Sequence, residues 1–196
     1  TIDKIHNGAL GEIVSCSAWW QGSPIYRFPD RPAGMSDVEF QTSNWYRYIW
    51  ISGDQVVEQH LHNIDVINWV MGMHPTKVSA TGGRAWMPLD NKHGNNYDHL
   101  TAEFTYPNGV VSMSQCRHFP RECFSKIGEL GIGTKGKSNC QDMAPKGPLR
   151  PKVQEHVNLV KSIRGQGPYI NFAYEVAEST MTAIMARESA FTGLEI

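Results

Sequence analysis

The chain has no run approaching the eighteen or so apolar residues that a membrane-spanning helix needs, so nothing in it reads as a membrane segment. Nor does one sign of charge dominate: 18 basic residues stand against 19 acidic ones. That balance excludes the basic footprint of a nucleic-acid-binding or membrane-surface protein. It leaves a small molecule or another protein as the partner. Cysteine is sparse, and Cys16, Cys116, Cys123 and Cys140 form no CxxC pair. A disulfide scaffold is therefore excluded, and we read the four as reduced core or surface thiols. An HExxH zinc signature is absent as well. The opening Thr1 to Gly8 lacks the basic and apolar regions of a secretory leader, and a soluble protein, cytoplasmic or periplasmic, is expected.

What is present fits one domain of 196 residues, 40% hydrophobic, with enough apolar surface for a sizeable core. Residues 11–20 place Val14, Cys16, Ala18 and Trp20 on one side and Ser15 and Ser17 on the other, the period of a half-buried strand. Residues 21–43 are rich in Pro, Gly and charge, end near Trp45 and Tyr46, and read as a long loop overhanging a site. From Gly53-Asp54 to Met71, Val57, Leu61, Ile64 and Met71 share one helical face, with Gly72 placed to stop the helix. Short β-rich runs follow at 76–86, 100–106, 110–118 and 123–132, and Pro107-Asn108-Gly109 marks a hairpin turn. Pro145, Pro148 and Pro151 punctuate a second loop. Val153, Val157 and Val160 then recur at helical spacing up to Gly165, and a last helix is expected over 173–192 before Gly193. Strands followed by helices predict an α+β fold, an open and mostly antiparallel sheet with helices packed on one face.

Three motifs bear on chemistry. Gly131 to Ser138, GIGTKGKS, satisfies the Walker A pattern and contains GxGxxG. A phosphate cradle needs a helix directly after the loop, and residues 139–151 hold three prolines and no apolar period, so a glycine-rich turn between strands is expected. Glu58, His62 and Asp65 are spaced to fall within one narrow helical sector. A histidine beside carboxylates is held in one tautomer and strengthened as a base, as proton abstraction from a hydroxyl requires; the alternative is a polar strip that satisfies its own hydrogen bonds. Glu58, His60, His62 and Asp65 are also zinc-ligand types, but His60 and His62 point in different directions on a helix, and no metal is expected.

Residues 52–72, SGDQVVEQHLHNIDVINWVMG, resemble the substrate-domain helix of the glucose-fructose oxidoreductase, inositol dehydrogenase and rhizopine-catabolism (Gfo/Idh/MocA) oxidoreductases. Residues 8–13 resemble the entry to that domain's first strand, Tyr106 to Gly109 its hairpin, Gly133 to Gly136 a strand turn and Ser179 to Gly193 its closing helix. The resemblance implies a dihydrodipicolinate-reductase-like C-terminal fold for residues 1–196. The domain would bind substrate, oligomerise, and follow a nucleotide-binding Rossmann domain that the chain lacks. It implies NAD or NADP as cofactor, bound mainly by the missing domain, and a sugar or polyol substrate. It also implies catalysis by His62 with Glu58 and an upstream lysine, although Glu58 stands where the family more often has aspartate.

On that basis Glu58 and His62 are the expected catalytic residues, with no cofactor-binding residue assigned here. Arg117, Trp45, Arg84, His99 and His118, near strand or loop ends, are candidates for substrate binding, and Asp65, one turn further along the helix, either meets the substrate or anchors the helix. The chain alone is expected to be inactive, and a homo-oligomer, dimer or tetramer, is expected through the sheet face that lacks helices. A non-catalytic scaffold of the same fold and an NAD-dependent glycoside hydrolase are the alternative functions.

Overall fold

The computed structural model describes residues 1–24, 28–143 and 147–196. Part of the expected 21–43 loop, and Pro145, lie outside the described residues. A short helix α1 (Ile2–His6) leads into β1 (Ile13–Gly22). Three short helices follow, α2 (Asp37–Ser43), α3 (Ile49–Ser52) and α4 (Gln55–Glu58), with a 3-10 turn at Trp45–Arg47 between the first two. Next come α5 (Leu61–Met71), the strands β2 (Lys77–Gly83), β3 (His99–Thr105), β4 (Val111–His118), β5 (Lys126–Gly133) and β6 (Gly136–Ser138), and the helices α6 (Pro151–Ile163) and α7 (Ala173–Thr192). No helix among the described residues is long and apolar enough to cross a membrane.

The strands form one open sheet in the order β2-β3-β4-β1-β5-β6. Every pairing is antiparallel except that of β1 with β4. The hairpin between β3 and β4 forms where Pro107-Asn108-Gly109 predicts it, with Gly109 at φ +82° and the Asn108 side chain accepting from Val110 N–H. Gly72 and Gly193 end α5 and α7 in the left-handed conformation, as their positions after the last apolar residue predict. The tail then returns, and Ile196 exchanges both backbone hydrogen bonds with Val78, shielding part of the β2 edge.

Helices α4, α5 and α7 cover one face of the sheet. Cys16 and Ala18 of β1, Leu100, Ala102 and Phe104 of β3, Ile64, Ile67 and Val70 of α5, and Ala183 and Ala186 of α7 form the core. The two alanines let α7 approach closely, and Asn68 of α5 bridges the layers by donating to Thr182 and accepting from Tyr106. The opposite face carries Ser15, Ser17, Trp19 and Gln21 of β1 and Val111, Met113, Gln115 and Arg117 of β4. Val111 and Met113 remain more than a third exposed there.

Two expectations change. Residues 37–43 of the predicted loop are helical, because Ser36 and Glu39 form a reciprocal capping box. Helix α6 forms where the valine spacing predicts it, yet none of its residues is buried.

Candidate functional site

The helix expected to run unbroken to Met71 is interrupted at Gln59–His60, so Glu58 closes α4 and His62 lies in the first turn of α5. The break turns His60 inward. Its ring is fully buried, with Nε2 2.6 Å from Ser114 Oγ on β4, and burial lowers its pKa to about 4. His62, two residues on, is exposed. Glu58 and His62 remain neighbours across the break. Burial raises the Glu58 carboxyl above its usual range, while the Tyr46 hydroxyl and the His62 imidazole pull it back down.

Tyr46 comes from the 3-10 turn and is 3% exposed. Its ring stacks on that of His118, with centroids 5.9 Å apart and an interplanar angle of 25°. Its backbone oxygen accepts from Asn96 Nδ2 at 2.7 Å. Buried Arg47 lies beside it, 4.2 Å from the Phe28 ring centroid, and burial brings its pKa down to about 10. Burial and the neighbouring Arg47 charge together push His118 down to about 3, so that its ring is neutral near physiological pH. Gly94 makes this packing possible: at φ +65°, a Cβ there would lie 2.0 Å from Arg47 O. Trp45, partly exposed, meets Tyr46 edge-on.

The structure thus gathers Trp45, Glu58 and His118 around Tyr46, with His62 beside Glu58, at the end of the helix-covered face where β1 and β4 finish. The other sequence candidates lie elsewhere. Arg117 and His99 are partners in the β3–β4 register and project to the face without helices, because side chains alternate along a strand. Arg117 is held between the Phe124 and Phe119 rings, 4.0 and 5.0 Å from their centroids, and donates to Phe124 O. His99 Nδ1 lies 2.8 Å from Asp98 Oδ1. Arg84 donates to Met87 O, Gly94 O and Pro88 O, holding its own loop together. Asp65 accepts from Ser179 Oγ at 2.6 Å and ties α5 to α7.

Arg47 was not singled out from the sequence, Tyr46 was noted only as the far end of the expected loop, and His60 was weighed only as a zinc-ligand type. For Tyr46 and Arg47 the aromatic cluster Trp45-Tyr46-Arg47-Tyr48 was the signal, and it lacks a period that would show which ring turns inward.

Among the described residues no three His, Cys, Asp or Glu side chains converge on a possible metal position. The GIGTKGKS run spans the end of β5, the β5–β6 turn and β6, and among the described residues no helix starts directly after it. Thr134 N–H donates to Glu12 O and Lys135 N–H to Leu10 O, so amides that a cradle would aim at phosphate are already engaged. All four cysteines are free thiols, and Cys123 alone among them is exposed.

The model of the GFO/IDH/MocA C-terminal domain matches residues 3–125. No curated protein matches the chain. Among solved structures, a levoglucosan dehydrogenase in complex with NADH and levoglucosan superposes with a TM-score of 0.72 at 17% identity, over 100% of this chain and 61% of its own. An aldose-aldose oxidoreductase from Caulobacter crescentus, complexed with glycerol, gives 0.70 at 13%, over 100% and 58%. A myo-inositol 2-dehydrogenase from Lactobacillus plantarum gives 0.68 at 17%, over 100% and 59%. At these identities the likeness is one of fold. The chain spans about three fifths of the length of the solved structures it resembles.

Proposed function

This chain belongs to the GFO/IDH/MocA C-terminal domain family, and from that premise we propose that it is the substrate domain of an NAD(P)-dependent oxidoreductase acting on a secondary alcohol of a sugar or polyol. The observation that carries this reading is the pairing of the partly buried Glu58 carboxylate with the exposed His62 imidazole, backed by the buried Tyr46 ring. An exposed imidazole beside a carboxylate suits proton abstraction from a bound hydroxyl. In this reading His62 takes the proton, Glu58 orients its ring or accepts a second substrate hydroxyl, and Trp45 offers an apolar surface to the sugar. The carboxylate stabilises the imidazolium that forms when the proton is taken.

The described residues do not fit a dinucleotide. Their glycine-rich turn is a β-hairpin with its amides engaged, and no helix N-terminus follows it. The cofactor and the second wall of the site are assigned to a Rossmann domain preceding residue 1, consistent with the greater length of the solved relatives. The isolated chain is then inactive. The sheet face without helices, with Val111, Met113 and Ile132 more than a third exposed, is assigned to a second copy of the protein.

The test is nicotinamide absorbance of the full-length protein with a panel of sugars and polyols, comparing wild type with His62→Ala. Cofactor reduction that falls by orders of magnitude in the variant supports the assignment. A cofactor-binding protein that reduces no cofactor with any of them overturns it.

A further inference from the structure

The break between α4 and α5 is pinned by a run of buried polar side chains that the proposed chemistry does not use. Ser114 of β4 lies 2.6 Å from His60 Nε2. Asn63, in the first turn of α5, donates through Nδ2 to Glu129 Oε1 on β5. His60 Nδ1, Asn63 Oδ1 and Glu129 Oε2 are buried outside these two bonds, and the Asn63 side chain lies close enough to the His60 ring to influence it. Ser114, His60, Asn63 and Glu129 are at most 8% exposed.

One direction of donation fits these neighbours. If the Ser114 hydroxyl donates to Nε2, the imidazole proton sits on Nδ1 and points to Asn63 Oδ1, and the Asn63 amide donates onward to the carboxylate. This pattern needs a neutral imidazole, which full burial enforces. The run crosses beneath the helices from β4 to β5, on either side of β1. Two of its members, His60 and Asn63, flank His62 in the chain.

We propose that His60 is a positioning residue for His62: hydrogen-bonded to Ser114 and set against Asn63, which is itself tied to Glu129, it fixes the angle at which the turn bearing Glu58 meets the turn bearing His62. The inference rests on the reading of His62 as the base. An apolar residue at position 60 would fill the core, but it would not fix the rotation of α5 about its own axis. A buried hydrogen bond to one strand atom does, because any rotation leaves both partners unsatisfied. At 1.5 Å rise and about 100° per residue, a small rotation at residue 60 moves the His62 ring away from Glu58. Preorganisation of this kind is sensitive to displacements on the order of 1 Å.

The experiment uses the full-length enzyme with its best alcohol from the panel and measures kcat and KM separately. His60→Ala and Ser114→Ala are each made alone and with His62→Ala, and circular dichroism melting verifies folding. Expected are a fall in kcat of about 10- to 100-fold in each single variant, with KM within a few-fold. No further loss is expected in the His62→Ala background, and His60→Gln, whose amide can reach Ser114, is expected to recover activity. Ser114→Ala removes one oxygen and keeps the test alive if His60→Ala does not fold. Unchanged kcat in the folded variants, or an equal loss with and without His62, overturns the inference while leaving the role of His62 intact. A normal rate in His62→Ala alone overturns the reading of the site and this inference with it.

Discussion

Tyr46 lies against His118, ring centroids 5.9 Å apart, and presents its hydroxyl to Glu58. One buried ring from a 3-10 turn thereby couples the end of β4 to the carboxylate beside His62. The stack gives the site a rigid floor, and the hydroxyl opposes the rise that burial imposes on the Glu58 carboxyl.

Tyr46→Phe keeps the stack and removes the hydroxyl. The Glu58 pKa is expected to rise further, since one of the two influences holding it down is lost. In the full-length enzyme the acidic limb of the pH–rate profile should move to higher pH, with kcat/KM down by about 10-fold near neutrality. An unchanged profile would remove Tyr46 from the site.

His118 is held neutral with its pKa near 3, against 6.5 for an ordinary histidine. Folding therefore releases its proton. The stability this gives is fully present above about pH 6.5 and is lost as pH falls toward the folded value. His118→Phe retains a ring against Tyr46 without the titration. Relative to wild type it should gain about 2 kcal/mol between pH 7.5 and pH 5, because the unfolded state no longer takes up that proton. Urea unfolding at the two pH values measures this, and a constant difference would show that His118 is not buried neutral.

Gly133 and Lys135 separate the two readings of the glycine-rich run. A Cβ at position 133 would lie 2.2 Å from Leu10 O. Gly133→Ala should therefore destabilise by about 2 kcal/mol or more. Lys135→Ala, at an exposed turn position, should stay within about 0.5 kcal/mol of wild type in thermal unfolding. ATP hydrolysis abolished by Lys135→Ala would restore the phosphate-loop reading.

Met113, 38% exposed in β4, lies on the sheet face without helices. If a second copy covers that face, Met113→Glu buries a charge in the interface and should lower the mass of the full-length protein by light scattering to that of a smaller assembly. A wild-type protein that is already monomeric would overturn the expected oligomer.

Much of the fold was legible in the sequence because its signals are local. Alternation marked β1, Pro107-Asn108-Gly109 marked the hairpin between β3 and β4, and Gly72 and Gly193 marked where α5 and α7 stop. The three prolines after GIGTKGKS argued against a helix there, and among the described residues none starts before Pro151. The site was less legible. Glu58 and His62 were named from helical spacing, yet the helix they were assigned to is two helices, and their proximity survives for a tertiary reason. Arg84 and Asp65 have the composition of ligand-binding residues but are engaged with loop carbonyls and with Ser179.

The sequence by itself determined the α+β class and the order along the chain of the strands and late helices, since each depends on residues within a few positions of one another. Only the tertiary structure decided which side of the sheet is covered, and hence that His118 joins Tyr46 beneath the site while its neighbour Arg117 points away. It also decided that His60 turns into the core while His62 stays at the surface. Alternation assigns adjacent strand residues to opposite faces but does not say which face a helix will occupy. That choice belongs to packing: α5 and α7 settle where Ile64, Ile67, Val70 and Ala183 meet Cys16, Ala18 and Ala102, and burying those apolar surfaces together decides the side of the sheet on which the site forms.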